Sequence, residues 1–357
     1  MFVDYAPILL TVAICIFARQ IGERLGVVDQ PDNLRKTHPE PTPLVGGIAI
    51  MVPIVMWSAT RIAFGNPHAG ALDLAVALCA GGIAVVGFMD DQQMISPVGR
   101  LLLLAIFSIV ALKLAPQLFV YRIHTVTWGW LSVSPALSMV LVVLALMGFS
   151  SAVNMVDGVN GLVLALVCIW SVCLALKGGA GLEMAQLLMV ACFVTLLFNA
   201  RGRLFLGDCG AFAIAFALGL MVIESHNEGR IPLETVLVWF LLPVVDCLRL
   251  IPLRILRGRS PFRPDRLHFH HRLGERIGEP GAIVVYVGLV ALTSLTATVK
   301  PELSGFCVCV DAVFYLGFLL ADALAAPART FEVERHGGAN VVALQENRRR
   351  GAGLDRL

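Results

Sequence analysis

The chain has 357 residues, of which 58% are hydrophobic and 15% charged; its mean hydropathy is +0.82 and its formal net charge +2. No soluble domain has that composition, so the chain reads as an all-α, polytopic membrane protein with no nucleic-acid partner; the net charge itself says little. Of its nine cysteines, eight lie in apolar segments with no C-x-x-C pair or zinc spacing, and these read as packing residues.

The first twenty residues contain Asp4 and no basic leader region, the pattern of a retained membrane helix. Eleven apolar spans are long enough to cross, or nearly cross, a bilayer: 3–18, 44–64, 71–89, 101–116, 133–153, 161–176, 184–200, 209–223, 232–251, 281–298 and 303–325. Together they define a membrane domain over 1–326. Residues 118–131, rich in β-formers and tryptophan, predict a short hairpin at the membrane surface. Pro243 and Pro252 predict a break or kink in the ninth span. Residues 327–357 are polar and rich in Gly and Arg, and read as a disordered cytoplasmic tail.

Of the 27 Lys and Arg residues, 21 fall in the odd-numbered connections and the tail, and six elsewhere. That bias predicts an outside N-terminus, a cytoplasmic C-terminus and odd connections on the cytoplasmic side.

Five polar clusters fall in those odd connections. They are P-D-N-L-R-K-T-H-P-E-P-T-P-L-V-G-G (31–47), G-F-M-D-D-Q-Q-M-I-S-P-V-G-R (87–100), N-M-V-D-G-V-N-G-L (154–162), F-L-G-D-C-G (205–210) and R-G-R-S-P-F-R-P-D-R-L-H-F-H-H-R-L (257–273). Asp90 and Asp91, adjacent at the end of an apolar helix, are costly unless a cation is near. Asn154, Asp157 and Asp208 offer hard oxygen donors suited to Mg²⁺ rather than zinc. The last cluster, on a proline-stiffened backbone, suits a diphosphate. Each has an ordinary reading alone: a solvated helix cap, an Asx turn, a Gly-Asp turn, or a basic loop that only fixes topology. Co-location of complementary chemistry on one face favours a shared site. Asp246 reads as a support for that site from within the ninth span.

In this order the five clusters resemble the polyprenyl-phosphate N-acetylhexosamine-1-phosphate transferase family, of glycosyltransferase family 4 type, over roughly residues 1–325. The H-F-H-H run resembles the branch that starts O-antigen, enterobacterial common antigen or teichoic-acid linkage chains. The resemblance implies about eleven transmembrane helices in the bacterial inner membrane and an active site on the cytoplasmic face. It implies transfer of N-acetylhexosamine 1-phosphate, GlcNAc-1-phosphate first among the candidates, from a UDP-sugar to undecaprenyl phosphate, with release of UMP. The cofactor would be Mg²⁺, with Mn²⁺ as substitute; the partners are the two substrates and membrane lipid, and a homodimer is admitted.

Carried over by position, Asp208 matches the metal ligand and Asn154 a supporting ligand. Asp90 and Asp91 match the catalytic aspartates near the attacking phosphate, with Lys36, His38 and Arg100 as substrate contacts. Asp157 and Asn160 match the nucleotide side, and Arg263, His268, His270 and His271 the nucleotide-sugar diphosphate loop. Asn160 stands where bacterial members usually carry Asp, and Ala211 where they usually carry Ser. Two other classes bind similar groups: a membrane prenyltransferase, which needs a second Asp-rich repeat, and a transporter, whose polar residues would lie near the midplane.

Overall fold

The computed structural model describes residues 5–31, 40–66, 69–258, 260–261, 265–325, 333–336 and 339–342. It divides into two units, residues 1–315 and 316–357. α1 (Tyr5–Ile16) turns by 73° into the short, polar α2 (Ala18–Leu25). A two-residue ladder, β1 (Val28–Asp29) with β2 (Thr42–Pro43), leads to α3 (Gly46–Ala63). The next span, Ala71–Asp91, consists of α4 (Ala71–Ala75), one π-helical turn (Val76–Ala80) and α5 (Gly81–Asp91).

α6 (Pro97–Leu114) and α7 (Pro135–Val156) both start with serine then proline. Ser96 accepts the Gly99 N–H and Ser134 the Leu137 N–H, and the proline occupies a position with no intrahelical donor to lose. Between them β3 (Arg122–Thr125) and β4 (Gly129–Ser132) pair antiparallel, the hairpin anticipated from the β-formers there. α8 (Leu162–Lys177), α9 (Leu182–Asn199), α10 (Gly207–Asn227), α11 (Leu233–Leu256), α12 (Phe269–Ile277), α13 (Glu279–Val299) and α14 (Ser304–Ala325) follow. Two further strands, β5 (Val333–His336) and β6 (Ala339–Val342), pair within the stretch read as a tail, most of which lies outside the described residues.

Every apolar span coincides with a helix, and the chain is a multi-pass membrane protein. Nine described helices are long and apolar enough to cross a membrane, ten if the bent pair α1–α2 counts as one span; α8, with 16 residues, is shorter. The ninth apolar span is not broken: α11 runs continuously through Pro243 and Pro252 and extends past the predicted end to Leu256. Each proline removes one backbone bond and adds local bulk, while the adjoining turns, packed on α7 and α13, keep theirs.

α10 is the axis. It is apolar on all sides, and 89% of its central stretch is buried, against α3, α5, α7 and α8. Its Gly and Ala residues let those neighbours approach closely. α6 is the opposite case, with Val98, Leu102 and Ile106 turned outward and only 22% buried, as a lipid-facing helix should be. Of the nine cysteines, all free, seven are buried, Cys168 is half-buried and Cys309 is exposed.

Candidate active site

The helix boundaries place the acidic residues. α5 runs two residues further than predicted and ends at Asp91, so Asp90 and Asp91 sit in its last turn. α10 starts two residues earlier than predicted, so Asp208 sits in its first turn. Asp91 accepts the backbone N–H groups of Asp208 (2.8 Å) and Cys209 (3.1 Å), satisfying donors that a helix start leaves unpaired. Gly87 makes this approach feasible, because a Cβ there would collide with the Asp208 carbonyl.

Asp90 is ion-paired with Arg100, whose guanidinium also lies 3.8 Å from Asp208 Oδ2 and stacks on the Phe212 ring at 4.7 Å. The Asn154 amide donates to Asp208 Oδ1 at 2.5 Å. Asp157, in the turn after α7, is pushed up to about 8 by burial, with the Asp208 and Asp91 carboxylates adding to the effect. Four carboxylates thus face one arginine among the described residues.

The donor set fits a hard divalent cation in one respect and limits it in another. Its oxygens and uncompensated negative charge suit Mg²⁺ or Mn²⁺. Among the described residues, however, no three His, Cys, Asp or Glu side chains are arranged to hold a metal by themselves. Mg²⁺ tolerates this, because it commonly takes one or two carboxylates and completes its shell with substrate phosphate oxygens and water.

The histidine stretch is built on α11. Asp246, 1% exposed, accepts His268 Nδ1 (2.8 Å) and the Phe269 N–H (3.1 Å) on one oxygen, and Arg249 (2.8 Å) and the Tyr315 hydroxyl (2.9 Å) on the other. Arg249 also donates to the Leu267 carbonyl at 2.7 Å. Arg254 donates to Asp265 Oδ2 and the Pro261 carbonyl, both at 2.8 Å, and lies 3.1 Å from His268 Nε2. Both nitrogens of His268 are therefore engaged, and this residue positions its neighbours rather than offering a free donor.

His270 differs: it is 2% exposed and neither ring nitrogen has a hydrogen-bond partner among the described residues. Burial, with His271 and His268 beside it, holds it well below the usual histidine range. His271 is brought down to about 4 by burial, reinforced by His268 and Arg266. Both are neutral at physiological pH.

These regions meet. A Cβ on Gly158 would lie 2.8 Å from His271 Nε2 and 2.9 Å from His270 Nε2, so the turn that follows Asp157 abuts both imidazoles. The Gly46 and Gly47 N–H groups donate to the Phe205 and Leu206 carbonyls at 2.9 Å, which joins the end of the first cluster to the fourth. Asn160 is exposed in the turn before α8. Lys36, His38 and Arg263 lie outside the described residues.

Five contributing residues went unread in the sequence. In the sequence Arg249 and Arg254 read only as topology charges, and nothing there pairs Asp265 or Tyr315 with a partner. Asn199, 3% exposed, accepts the Gly161 N–H at 2.5 Å and donates to the Leu204 carbonyl at 2.9 Å, tying the Asp157 turn to the Asp208 segment. Its only signal was an amide at the end of an apolar run.

A half-buried carboxylate cluster gathered around the start of α10, abutted by neutral histidines, is an arrangement suited to an enzyme that handles phosphates. Residues 74–226 match glycosyl transferase family 4, and the chain belongs to that family. It is 30% identical over 275 residues to the undecaprenyl-phosphate alpha-N-acetylglucosaminyl 1-phosphate transferase of Salmonella typhi, covering 74% of this chain and 73% of the relative. The Escherichia coli K12 protein of the same name is 29% identical over 310 residues, covering 84% and 83%. A probable undecaprenyl-phosphate N-acetylglucosaminyl 1-phosphate transferase of Bacillus subtilis is 26% identical over 278 residues, covering 74% and 75%. Family membership removes the prenyltransferase and transporter readings.

Proposed function

We propose that the protein transfers N-acetylglucosamine 1-phosphate from UDP-GlcNAc to undecaprenyl phosphate, releasing UMP and starting a cell-surface polysaccharide of the O-antigen or teichoic-acid type. The observation that carries this reading is the juxtaposition at Gly158 of the carboxylate cluster and the two neutral histidines. One side has the charge deficit to be filled by a metal, and the other has uncharged imidazoles for the donor. The names of the relatives supply the acceptor lipid and the transferred group, and the UDP carrier rests on the family resemblance.

In this reading Asp208 would hold Mg²⁺ or Mn²⁺, with Asn154 orienting its carboxylate, and the chemistry supplied would be charge neutralisation of the donor diphosphate. Arg100 anchors the acceptor phosphate. An oxygen of undecaprenyl phosphate attacks the β-phosphorus, its new P–O bond replaces the bond to the α-phosphate oxygen, and UMP leaves. Asp90 takes the proton from the minor fraction of acceptor phosphate that still carries one. Asp91 keeps Asp208 in place through the start of α10. His270 and His271 contact the nucleotide sugar, and His268 with Asp246 fixes their backbone.

The basic-residue bias supports a cytoplasmic orientation of this end. In a background lacking the exposed Cys309, a cysteine at Trp128 should react with an impermeant thiol reagent in intact cells, and one at Arg266 should not. The reverse pattern would overturn the orientation.

The test of function is purified protein supplied with undecaprenyl phosphate and a panel of UDP-sugars, with UMP release as readout. Release with UDP-GlcNAc supports the reading; release with UDP-FucNAc or UDP-QuiNAc alone would move the donor. Exchange of labelled UMP into UDP-sugar without lipid would replace direct displacement by a covalent intermediate on Asp90.

A further inference from the structure

α14 carries a carboxyl group that the proposed reaction does not use. Asp311 lies about two turns into this apolar span and is 1% exposed. Among the described residues neither of its oxygens receives a hydrogen bond, and no cationic side chain is set against it. An ionised carboxylate buried in a membrane span without donor or counter-charge is strongly disfavoured.

The groups around it are few. From α13, Thr293 is its hydrogen-bonding neighbour, and the buried Tyr286 hydroxyl, itself without a hydrogen-bond partner among the described residues, lies near. On α14, buried Cys307 is one turn before it and buried Tyr315 one turn after. α11 contributes Asp246 and Arg249, which are paired with each other and with the Tyr315 hydroxyl.

Thr293 decides the protonation. Its hydroxyl hydrogen is engaged by the Leu289 carbonyl at 3.0 Å, with the Val290 carbonyl at 3.5 Å as the alternative, so its oxygen offers Asp311 a lone pair. Only a carboxyl group that keeps its proton can bond to a lone pair. α14 also needs such a tie: only 22% of this span is buried, and Phe306 and Val313 are turned outward. Yet its Tyr315 must reach α11, where the hydroxyl donates to Asp246 at 2.9 Å and accepts from Arg249 at 2.8 Å.

We propose that Asp311 is a neutral carboxylic acid whose O–H donates to the Thr293 hydroxyl oxygen, and that it is a positioning residue, seating Tyr315 against Asp246. The second half rests on the reading of the Asp246 network as the scaffold of the donor-binding histidines.

The test is infrared difference spectroscopy on the full chain in detergent, wild type minus Asp311→Asn. A carboxylic-acid carbonyl band that is lost in the variant is expected. Its absence overturns the proposal, because an ionised or cation-bound carboxylate gives none. Thr293→Val should move the band and Thr293→Ser should leave it in place; a band indifferent to Thr293→Val overturns the assigned bond. In UMP release, Asp311→Asn, whose amide can still donate to Thr293, should keep wild-type kinetics. Asp311→Ala should raise KM for UDP-GlcNAc about tenfold with kcat little changed, the effect of one bond lost from a buried network. An Asn that costs as much as Ala, or an Ala that leaves KM unchanged, overturns the positioning role. If Asp311→Ala does not fold, Thr293→Val takes its place in that comparison. The spectra need no turnover, so the protonation stands or falls separately from the proposed reaction.

Discussion

The two halves of the candidate site are opposites in charge and in how far they satisfy themselves. The carboxylate cluster brings together Asp90, Asp91, Asp157 and Asp208 with Arg100 as the cation at hand. The arginine–histidine stretch is cationic in sequence; the α11 arginines beneath it, Arg249 and Arg254, are engaged by Asp246 and Asp265, and its His270 and His271 are held neutral. The charge available for a substrate is therefore not the charge written in a segment. The acidic half gathers carboxylates around one guanidinium, and the basic half includes two uncharged imidazoles held on paired arginines.

That contrast ranks the effects of substitution. Asp208→Asn should be the most damaging, with at least a ~10²-fold loss of UMP release, since metal charge stabilisation is worth several kcal/mol. Chelation with EDTA should match that loss, and near-normal turnover under either treatment would break the cation half of the comparison.

Asp246→Asn comes next. It touches no substrate in this reading but removes the charge and turns one of the two oxygens shared by His268, the Phe269 N–H, Arg249 and Tyr315 into a donor. A loss of about 10–100-fold in kcat/KM is expected, from disrupting a buried charged network. It should appear mainly as a raised KM for the UDP-sugar, with little change in KM for the lipid. Equal changes in both would mean that the scaffold serves the whole site.

Gly158→Ala tests the contact between the halves. The added methyl group would meet His270 and His271 below 3 Å and force the turn and the rings apart. About tenfold lower turnover is expected, since even small misplacement at a reacting centre is costly. Unchanged turnover would show that the rings move aside without consequence.

The smallest effect concerns pH. His271 has a folded pKa of about 4, below its usual 6.5. As pH falls from 6.5 through 4, the unfolded chain takes up a proton that the folded chain refuses, so stability is lost over that window. The melting temperature of the wild type should fall there, and His271→Gln should flatten that part of the curve by a few degrees. A wild-type curve already flat over the window would mean that His271 is not desolvated.

Much of the fold was legible because a bilayer imposes so strict a rule. Backbone groups in hydrocarbon must bond internally, so each long apolar run became a helix, and the β-formers between α6 and α7 became a hairpin. The prolines of α11 do not break it, because propensity assigns a local cost that a packed helix absorbs through neighbouring turns. The site was legible as residue types, in the D-D, N-M-V-D-G, G-D-C-G and H-F-H-H runs. Roles within it were not: Asp91 caps α10, His268 is tied at both nitrogens, and the buried His270 keeps both free of hydrogen bonds among the described residues.

The sequence by itself determined the apolar spans, the uneven distribution of arginines and the identity of the reactive groups, since hydropathy, charge and donor type are properties of single residues and short runs. Only the tertiary structure decided which charges cancel and which remain. Pairing Arg254 with Asp265 or Asp91 with the start of α10 requires a distance of about 3 Å between groups brought together by other helices. Electrostatics and desolvation depend on that distance and on burial, and neither is written in the order of the residues.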